Sequence, residues 1–317
     1  MQYSAAIIGL GNIGLKFDLN SEENNVFSHT KAYLQDKHFN LIAGIDSDSS
    51  SRDEFESYSG AKSYNNLATL KDDIDTVDIV SICTPTTIRL SIIKEIIPLK
   101  PKIIIIEKPI ASTSEEAYKI KKIAYDNNIK VYVNYMRRVE PFFLELKNSI
   151  NVGRVRSIVI NYTNGLYTNA SHFIDLAHYM FGKEEKISLI SLKKMSNDYC
   201  ASFVLFYKNF HIYFNGLENL SYSLGSMDIL YDNKRLLIKD WGFDVENYEL
   251  LQDPLFPDLS TLAKKEMDTV PDMEKYMIYV LTHVYNVLEG TQTLISSIDT
   301  SVETLLTCES IKDASSI

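Results

Sequence analysis

The sequence predicts an α/β domain with a doubly wound parallel sheet, followed by an α+β domain with a large, mostly antiparallel open sheet. Over the first ~135 residues, short apolar runs alternate with helical patterns, as in βαβ units. Ile103–Ile106 is a run of four isoleucines, typical of a strand that is buried on both faces. After Pro141 the sequence becomes rich in strand patterns, with few helical patterns between about residues 187 and 250.

The strands of the first domain can be placed in order along the chain. They are Ala5–Ile8, Leu41–Ile45, Val77–Cys83, Ile103–Ile106 and Val131–Val133. Between the last two we expect a helix that Ser112 or Thr113 caps, because Glu115 and Glu116 suit its first turn. A domain boundary is expected after residue 136, which gives domains 1–136 and 137–317.

The second domain is predicted to begin with a helix over 142–150 and a strand over 155–162. Two further strands are predicted over 201–207 and 210–214. An amphipathic helix should run from Asp272 to Glu289, where Gly290 ends it, and a further helical stretch lies near 300–310.

Composition excludes several classes of protein. The 317 residues carry a net charge of −10, which argues against nucleic acid and anionic membrane surfaces as partners. The three cysteines, Cys83, Cys200 and Cys308, lie far apart without Cys-x-x-Cys spacing, so neither a disulfide framework nor a thiolate metal site is expected. The N-terminus shows no signal sequence, and the expected location is cytoplasmic.

The run Gly-Leu-Gly-Asn-Ile-Gly directly follows the first predicted strand and precedes a helical pattern, the context of a Rossmann dinucleotide site. Gly9 permits a tight turn, Gly11 lets the backbone approach a pyrophosphate, and Gly14 lets helix and strand pack closely. The amide groups of this loop, including those of Asn12 and Ile13, are expected to hold the pyrophosphate at a helix N-terminus.

Asp46 ends the second predicted strand, where a carboxylate accepts hydrogen bonds from the adenosine ribose and repels a 2′-phosphate. No arginine follows it immediately, so NAD is favoured and NADP is less expected. Asp46 lies 32 residues after Gly14, against roughly 20 in the usual fingerprint, which indicates an insertion around Lys16–Phe27. Asp48 remains an alternative ribose ligand.

Two further segments end strands at the sheet edge where ligands bind in open α/β sheets. Thr84 and Pro85 follow the third predicted strand and are candidates to line the cofactor channel, although a proline turn without a ligand explains them nearly as well. Glu107-Lys108-Pro109 follows the isoleucine strand, an unusual sequence for a turn.

Together with Asn134–Arg138 and Ser171–Asp175, these segments resemble the glucose–fructose oxidoreductase/inositol dehydrogenase/rhizopine-catabolism (Gfo/Idh/MocA) family over essentially the whole chain. The resemblance implies a Rossmann domain and a second α/β domain whose open sheet mediates dimers or tetramers, so a homodimer or homotetramer is expected. It also implies interconversion of a sugar hydroxyl and a ketone with a nicotinamide cofactor.

The resemblance also implies roles for individual residues. Lys108, placed between nicotinamide and substrate, would take the hydroxyl proton in oxidation and return it in reduction, and Glu107 would belong to the cofactor site. His172 would act as general acid/base or hold the substrate oxygen, and Asp175, one helical turn on, would orient it. No metal site is expected, because the spacing of His172, Asp175 and His178 drifts around a helix.

The chain departs from the family pattern at several positions. The family Asp four residues before the histidine falls at Thr168, and a His that often follows the Thr-Pro motif falls at Arg89. Either Lys108 and His172 suffice, or Asn169 and Thr168 position the substrate through neutral hydrogen bonds. The alternative is a catalytically impaired nicotinamide-binding sensor or assembly protein.

The substrate class rests on a double arginine. Arg138, with Arg137, would grip an anionic substrate, or would form ion pairs with carboxylates such as Glu140. This segment resembles a subgroup that functions in bacterial surface-polysaccharide biosynthesis, which implies a sugar or nucleotide-sugar substrate. A methyltransferase would explain neither Lys108 nor the second domain.

Overall fold

The structure is a computed structural model, and it describes residues 2–21 and 24–314. Residues 22 and 23, which belong to the predicted insertion, lie outside the described residues. The contacts divide the chain into two compact units: Met1–Glu140 with Glu274–Val302, and Pro141–Met273 with Glu303–Ile317. The segment 274–302 lies in the predicted second domain, but its contacts group it with the first unit.

The first unit is built on a parallel sheet of six strands. Its elements are β1 (Tyr3–Ile8), α1 (His29–Gln35), β2 (Phe39–Ile45), α2 (Ser49–Ser59), β3 (Lys62–Tyr64), α3 (Leu67–Asp73), β4 (Ile79–Ile82), α4 (Thr86–Ile96), β5 (Ile103–Ile106), α5 (Ser114–Asp126), β6 (Lys130–Val133) and α8 (Tyr276–Leu288). The strand order is β3-β2-β1-β4-β5-β6, so the direction of winding reverses between β1 and β4. The predicted doubly wound Rossmann fold is confirmed.

Local sequence explains the best-predicted elements. All four isoleucines of β5 are fully buried, as expected for a strand covered on both faces. The side chain of Thr113 accepts a hydrogen bond from the Glu116 amide, and the Glu116 carboxylate accepts one from the Ser112 amide. This reciprocal capping fixes the start of α5, and it identifies Thr113, not Ser112, as the cap.

The carboxyl ends of the central strands lie side by side. Ile8 of β1 pairs with Ile45 of β2 and with Ile82 of β4, and Ile82 pairs with Ile106 of β5. The residues that follow these isoleucines therefore emerge at one edge of the sheet. This register brings the glycine loop, Asp46, Thr84 and the Lys108 turn to the same edge.

The second unit contains an eight-stranded sheet. Its elements are α6 (Pro141–Ser149), β7 (Val155–Tyr162), α7 (Ser171–Phe181), β8 (Lys186–Lys194), β9 (Tyr199–Phe206), β10 (His211–Gly216), β11 (Gly225–Tyr231), β12 (Lys234–Lys239), β13 (Asp244–Gln252), β14 (Ser260–Lys265) and the part of α9 (Ile298–Asp313) that follows Val302. The order is β14-β13-β12-β11-β7-β10-β9-β8, and β7 and β10 form the one parallel pair among these strands. The predicted large, mostly antiparallel sheet is confirmed.

One face of this sheet is buried and the other is partly open. Ile158 and Ile160 of β7 are fully buried, and they alternate with half-exposed neighbours. On the opposite face, Tyr213 is 39% exposed, Leu250 52% and Leu262 41%.

Cys83, Cys200 and Cys308 are all free thiols. Within residues 2–21 and 24–314, no helix is both long and apolar enough to cross a membrane.

Candidate active site

A cleft of about 360 Å³ opens at the carboxyl edge of the parallel sheet, where the winding reverses. Such a crevice is where open α/β sheets bind their ligands. It is lined by Ile8, Gly9, Gly11, Ile45, Asp46, Ser47, Asn65, Asn66, Leu67, Cys83, Thr84, Pro85, Ile88, Ile92 and Glu95. Five predicted cofactor residues are among them: Gly9, Gly11, Asp46, Thr84 and Pro85.

The glycine loop is shaped by close backbone contacts. Gly9 has a φ of +95°, and a Cβ there would lie 2.9 Å from the carbonyl carbon of Cys83. A Cβ on Gly14 would lie 2.1 Å from the carbonyl oxygen of Gly9, so this glycine lets the loop close on itself. A Cβ on Gly11 would meet nothing within 4 Å, because this position faces open space in the cleft. The loop therefore leaves room for a pyrophosphate next to Gly11.

The helix predicted directly after Gly14 is interrupted after one turn. The Leu15 amide donates to the Gly11 carbonyl at 2.9 Å, but the Ile13 and Gly14 carbonyls accept from the amides of His29 and Thr30, each at 3.0 Å. These partners are sixteen residues apart, whereas a continuous helix pairs residues four apart, so twelve residues are inserted. The Gly14–Asp46 spacing exceeds the usual ~20 by the same number.

Asp18 closes the inserted loop. Its carboxylate accepts hydrogen bonds from the amides of Phe27 (3.0 Å) and Ser28 (2.6 Å), and from the Ser21 hydroxyl (2.9 Å). Asp18 is only 3% exposed, so these donors compensate the burial of its carboxylate. Asp18 therefore ties residue 21 to residues 27 and 28, directly before α1 begins.

Asp46 is held in a fixed orientation beside the glycine loop. Its two carboxylate oxygens accept from the amides of Leu10 at 2.8 Å and Asp48 at 2.9 Å. The Asp48 side chain instead caps α2 by accepting from the Ser51 amide at 2.9 Å, and this hydrogen bonding lowers the pKa of Asp48. Of the two candidate ribose ligands, Asp46 lines the cleft and Asp48 does not.

Thr84 offers a polar atom that suits a ligand. It is 9% exposed, and its Oγ1 has no hydrogen-bond partner among the residues that the structure describes. A buried hydroxyl without a partner is costly, and a hydroxyl-bearing ligand in the cleft would satisfy it. Together with the open space at Gly11 and the orientation of Asp46, this atom makes the cleft a good fit for a dinucleotide.

Lys108 lies just beyond the end of β5, next to the Thr84 segment that ends β4. Ile82 and Ile106 are register partners, so Thr84 and Lys108 each stand two residues past the paired strand ends. Lys108 is half-buried, and its peptide bond to Pro109 is cis. Asn12, Ile13, Gly14, Glu107 and Lys108 do not line the cleft, and their predicted cofactor contacts stay predictions.

Glu107 points into a buried polar cluster. Its Oε1 lies 3.0 Å from Nε2 of His29 and accepts from Nδ2 of Asn134 at 2.6 Å. The other ring nitrogen of His29 lies 3.0 Å from the Ser81 hydroxyl, which lies 2.8 Å from that of Tyr33. His29 is fully buried. This cluster anchors the residue before Lys108 from beneath the sheet edge.

The His29–Glu107 pair is expected to stabilise the fold over a defined pH range. Burial acts to lower the pKa of His29, but Cys83 and Glu107 outweigh it and raise the pKa to about 10. Burial acts to raise the pKa of Glu107, but the hydrogen bonds from His29 and Asn134 lower it overall. The contribution of His29 to stability is complete at pH values below its ordinary pKa of 6.5. The contribution of Glu107 is complete above its ordinary pKa of 4.5.

Chemical denaturation of wild type and His29→Gln should therefore differ most between pH 4.5 and 6.5. The difference should shrink as pH rises towards about 10. His283→Gln is the matched control, because burial lowers the pKa of His283, and its contribution should instead be lost as pH falls. A His29→Gln difference that stays constant across this range would contradict the ion pair.

In the second unit, the predicted substrate residues lie on a π-helix, Leu166–Ala170, that leads into α7. The Thr168 amide and hydroxyl donate to Oδ2 of Asp198 at 2.8 and 2.7 Å, and the Tyr167 amide donates to Oδ1 at 3.0 Å. The Asn169 side chain donates to the Thr163 carbonyl at 2.8 Å. A carboxylate thus stands beside Thr168, but it comes from position 198.

His172 and Asp175 lie on α7. His172 is the second residue of the helix and is half-exposed, whereas Asp175 is 2% exposed and its Oδ1 accepts from the Thr304 hydroxyl at 3.4 Å. His178 does not join them, because its Nε2 lies 2.7 Å from Glu184. The roles predicted for His172 and Asp175 stay predictions.

Replacing Asp198 with asparagine is expected to lower the free energy of unfolding by about 1–3 kcal/mol. Both carboxylate oxygens accept hydrogen bonds from backbone amides, and in asparagine an NH₂ group, which cannot accept, would replace one of them. Urea denaturation monitored by circular dichroism measures the effect. Asp258→Asn, at an exposed position, should change stability by less than about 0.5 kcal/mol. Equal stabilities of the two variants would contradict this role of Asp198.

Arg138 and Arg137 lie in a short turn, Met136–Arg138, and each is 4% exposed. Nη1 of Arg138 donates to the Ile295 carbonyl at 3.3 Å. The predicted contact of Arg138 with an anionic substrate stays a prediction, because the structure shows a buried guanidinium with a backbone partner.

No sequence signal indicated the supporting roles of His29 and Arg89 in the first unit, or of Asp198 in the second. Arg89 donates through Nε to the Thr84 carbonyl at 2.9 Å and through Nη1 to the carbonyls of Glu107 and Pro109. Sequence reasoning also missed Asn65 and Asn66, which line the cleft after β3. The Asn-Asn pair itself was a signal that could have indicated these two lining residues. The contacts of His29 and Arg89 span 78 and 18 residues, so no local pattern indicates them.

Comparison with known proteins identifies the first domain. A family model described as an oxidoreductase family with an NAD-binding Rossmann fold, GFO_IDH_MocA, matches residues 3–135. Inositol 2-dehydrogenase of Rhizobium meliloti (strain 1021) is 26% identical over 125 residues, which cover 34% of this chain and 38% of that protein. The aligned part of the chain thus spans little more than a third of this relative.

Solved structures match along the whole chain. A dehydrogenase (MviM) from Clostridium difficile has a TM-score of 0.79 at 19% identity, covering 99% of this chain and 100% of that one. The WlbA dehydrogenase from Bordetella pertussis, in complex with NADH and UDP-GlcNAcA, has a TM-score of 0.72 at 15% identity, covering 99% and 98%. At these identities the likeness establishes the fold.

The resemblance that the sequence motifs indicated is therefore confirmed by two kinds of finding. The family model covers the segment that carries the glycine loop, Asp46, Thr84 and Lys108. The solved structures share the arrangement of a parallel sheet followed by a large, mostly antiparallel one. Over residues 3–135 the chain matches the model of the GFO_IDH_MocA oxidoreductase family, which has an NAD-binding Rossmann fold.

Proposed function

We propose that the chain is an NAD-dependent oxidoreductase that interconverts a hydroxyl and a ketone on a sugar or nucleotide sugar. The observation that carries the proposal is the position of Lys108. It follows β5 at the same sheet edge as the cleft. The neighbouring strand β4, which pairs with β5, leads to Thr84 in the wall of that cleft. A protonatable group beside a nicotinamide site is what alcohol oxidation requires.

The cofactor would be held by residues that line the cleft. The open space at Gly11 would admit the pyrophosphate, Asp46 would accept from the adenosine ribose hydroxyls, and the Thr84 hydroxyl would bond to the cofactor. When bound, the nicotinamide ring supplies the hydride acceptor or donor. The protein's own task is then to orient the substrate and to move one proton.

Lys108 would carry that proton. In oxidation its amine takes the hydroxyl proton as the C–H bond loses a hydride, and in reduction its ammonium returns the proton to the oxygen. In both directions the positive charge would stabilise a developing alkoxide. We propose that His172 is a second proton-exchanging or oxygen-holding group, and that Thr168, Asn169, Asp175 and Arg138 contribute to substrate binding.

The substrate class draws on the relatives. One is named inositol 2-dehydrogenase, and another was solved with UDP-GlcNAcA. A polyol or pyranose hydroxyl would suit the proton chemistry of Lys108, and a nucleotide-linked sugar would match the expected role in polysaccharide biosynthesis. A cytoplasmic location would fit such substrates.

NAD is expected to bind more tightly than NADP. The Asp46 carboxylate lies at the strand end where a 2′-phosphate would sit, so NADPH should bind at least about tenfold more weakly than NADH. Isothermal titration with the two reduced cofactors measures this ratio. Asp46→Ser should narrow the gap, and tighter binding of NADPH than NADH by the wild type would contradict the assignment.

The activity is tested by mass spectrometry of any copurifying cofactor, followed by an absorbance screen for NADH with free sugars, inositols and nucleotide sugars. NADH formation with one of these classes supports the proposal. Bound nicotinamide that no candidate reduces or reoxidises would favour the sensor or assembly protein instead.

We also propose self-association through the partly open sheet face. On that face Tyr213, Leu250 and Leu262 expose large apolar side chains. A group of exposed apolar side chains is typical of a surface that another protein covers. A dimer or tetramer of the wild type in sedimentation velocity would support this proposal. A monomeric wild type, with the same mass and solubility as Tyr213→Glu, would contradict it.

A further inference from the structure

Arg89 occupies an unusual place in the first unit. It lies on α4, it is 4% exposed, and its guanidinium donates to three backbone carbonyls at the ends of two neighbouring strands. Nε bonds to the Thr84 carbonyl after β4 at 2.9 Å, and Nη1 bonds to the carbonyls of Glu107 and Pro109 after β5. One side chain therefore ties the wall of the cleft to the turn that carries Lys108.

A buried guanidinium is costly, because it loses its hydration. Burial lowers the pKa of Arg89, and the charge of Glu107 opposes this effect. A lysine has no planar fork with which to hold the carbonyls after both strands at once. The geometry of the turn thus depends on this particular side chain.

Arg89 does not reach the cofactor cleft itself. Its neighbours on α4, Ile88 and Ile92, line the cleft, whereas Arg89 does not. Its carbonyl partners belong to the residues immediately before and after Lys108. We propose that Arg89 is a positioning residue, which fixes the backbone on both sides of Lys108 and thereby directs the Lys108 amine; this rests on the proposed function.

A second, independent anchor points to the same turn. The Glu107 side chain is held by His29 and Asn134, while the Glu107 carbonyl is held by Arg89. The residue before Lys108 is therefore fixed through both its side chain and its main chain. Arg89 also reaches past Lys108, to the carbonyl of Pro109.

The kinetic test compares Arg89→Met, Arg89→Lys and the control Arg156→Met, an exposed arginine that also donates to a carbonyl. Misplacing a catalytic group by about 1 Å costs on the order of 100-fold, so Arg89→Met should lower kcat by about 10- to 100-fold. The NADH dissociation constant should change by a smaller factor than kcat, because Arg89 acts on the cleft only through the Thr84 carbonyl. Arg89→Lys, which retains the charge and at least one carbonyl contact, should recover part of kcat, and Arg156→Met should match wild type.

Two kinetic results would overturn the proposal. One is an Arg89→Met enzyme with wild-type kcat. The other is a fall in kcat that equals the fall in the fraction of sites that bind NADH, because a purely structural arginine would reduce the folded fraction and leave the turnover of each folded site unchanged.

Hydrogen–deuterium exchange of the segment 103–112 tests the positioning role without any substrate. Loss of the Arg89 contacts should speed exchange of this segment in Arg89→Met, with partial protection in Arg89→Lys. Unchanged exchange would overturn the role of Arg89. Faster exchange in a protein whose wild type oxidises no sugar would leave that role intact and reject the proposed function instead.

Discussion

Lys108→Ala is expected to lower kcat by at least about 100-fold while NADH still binds, because proton transfer by a positioned side chain contributes on that scale. Lys108 does not line the cleft that would hold the adenosine and pyrophosphate, so its loss leaves most cofactor contacts in place. Steady-state rates at saturating NAD, with cofactor occupancy measured by titration, separate these two effects. Added ethylamine should restore part of the rate by supplying an amine in the vacated space.

The matched control for this variant is Lys122→Ala. Lys122 lies on the surface of α5 and pairs with Asp126 at 2.7 Å, a contact of little energetic weight. Its removal should leave kcat within experimental error. Turnover near the wild-type level in Lys108→Ala would remove the proton role of Lys108, and with it the reason to treat the sheet edge as an active site.

Gly11→Ala is expected to weaken NADH binding by about 10- to 100-fold without loss of stability. A Cβ at Gly11 meets no protein atom within 4 Å, so the protein should fold normally. The new methyl group would occupy the space through which a pyrophosphate must approach the backbone. Isothermal titration with NADH and thermal denaturation of the free protein measure the two effects.

Gly153→Ala provides the same substitution at an exposed turn of the second unit, where the nearest atom to the new Cβ would be 3.4 Å away. Both its NADH affinity and its melting temperature should match wild type. If Gly11→Ala binds NADH as tightly as Gly153→Ala, the pyrophosphate does not lie at this loop.

The sequence predicts most of the first unit because its signals are local. Four buried isoleucines identify β5, Thr113 and Glu116 identify the start of α5, and the glycine loop follows β1 directly. The spacing from Gly14 to Asp46 even gives the length of the insertion. β3 was missed because it has only three residues, Lys62–Tyr64, of which only Tyr64 is buried.

The site was less predictable because its supports come from distant parts of the chain. His29 follows the insertion and meets Glu107 across 78 residues, and Asp198 meets Thr168 across 30. No local pattern marks such pairs. Thr168 therefore looked like the loss of a carboxylate, whereas the structure places the Asp198 carboxylate against its hydroxyl.

The spacing predicted an insertion around Lys16–Phe27, but not the hydrogen bonds that join the two sides of it. Periodicity cannot show that Ile13 and Gly14 pair with His29 and Thr30 rather than with the residues that follow them. The insertion preserves the helical hydrogen bonds by joining two distant segments. A motif can thus keep its geometry even when its sequence is interrupted.

The proton-transfer role of Lys108 is tested most directly by a single-turnover experiment. NAD-loaded wild type and Lys108→Ala are each mixed with a sugar or nucleotide sugar that the screen identifies. The absorbance of reduced nicotinamide reports the first hydride transfer at equal cofactor occupancy. If Lys108 carries the proton, NADH should appear in the wild type and form at least about 100-fold more slowly in the variant. Equal rates in the two proteins, or no NADH from the wild type with any substrate of these classes, would contradict this role.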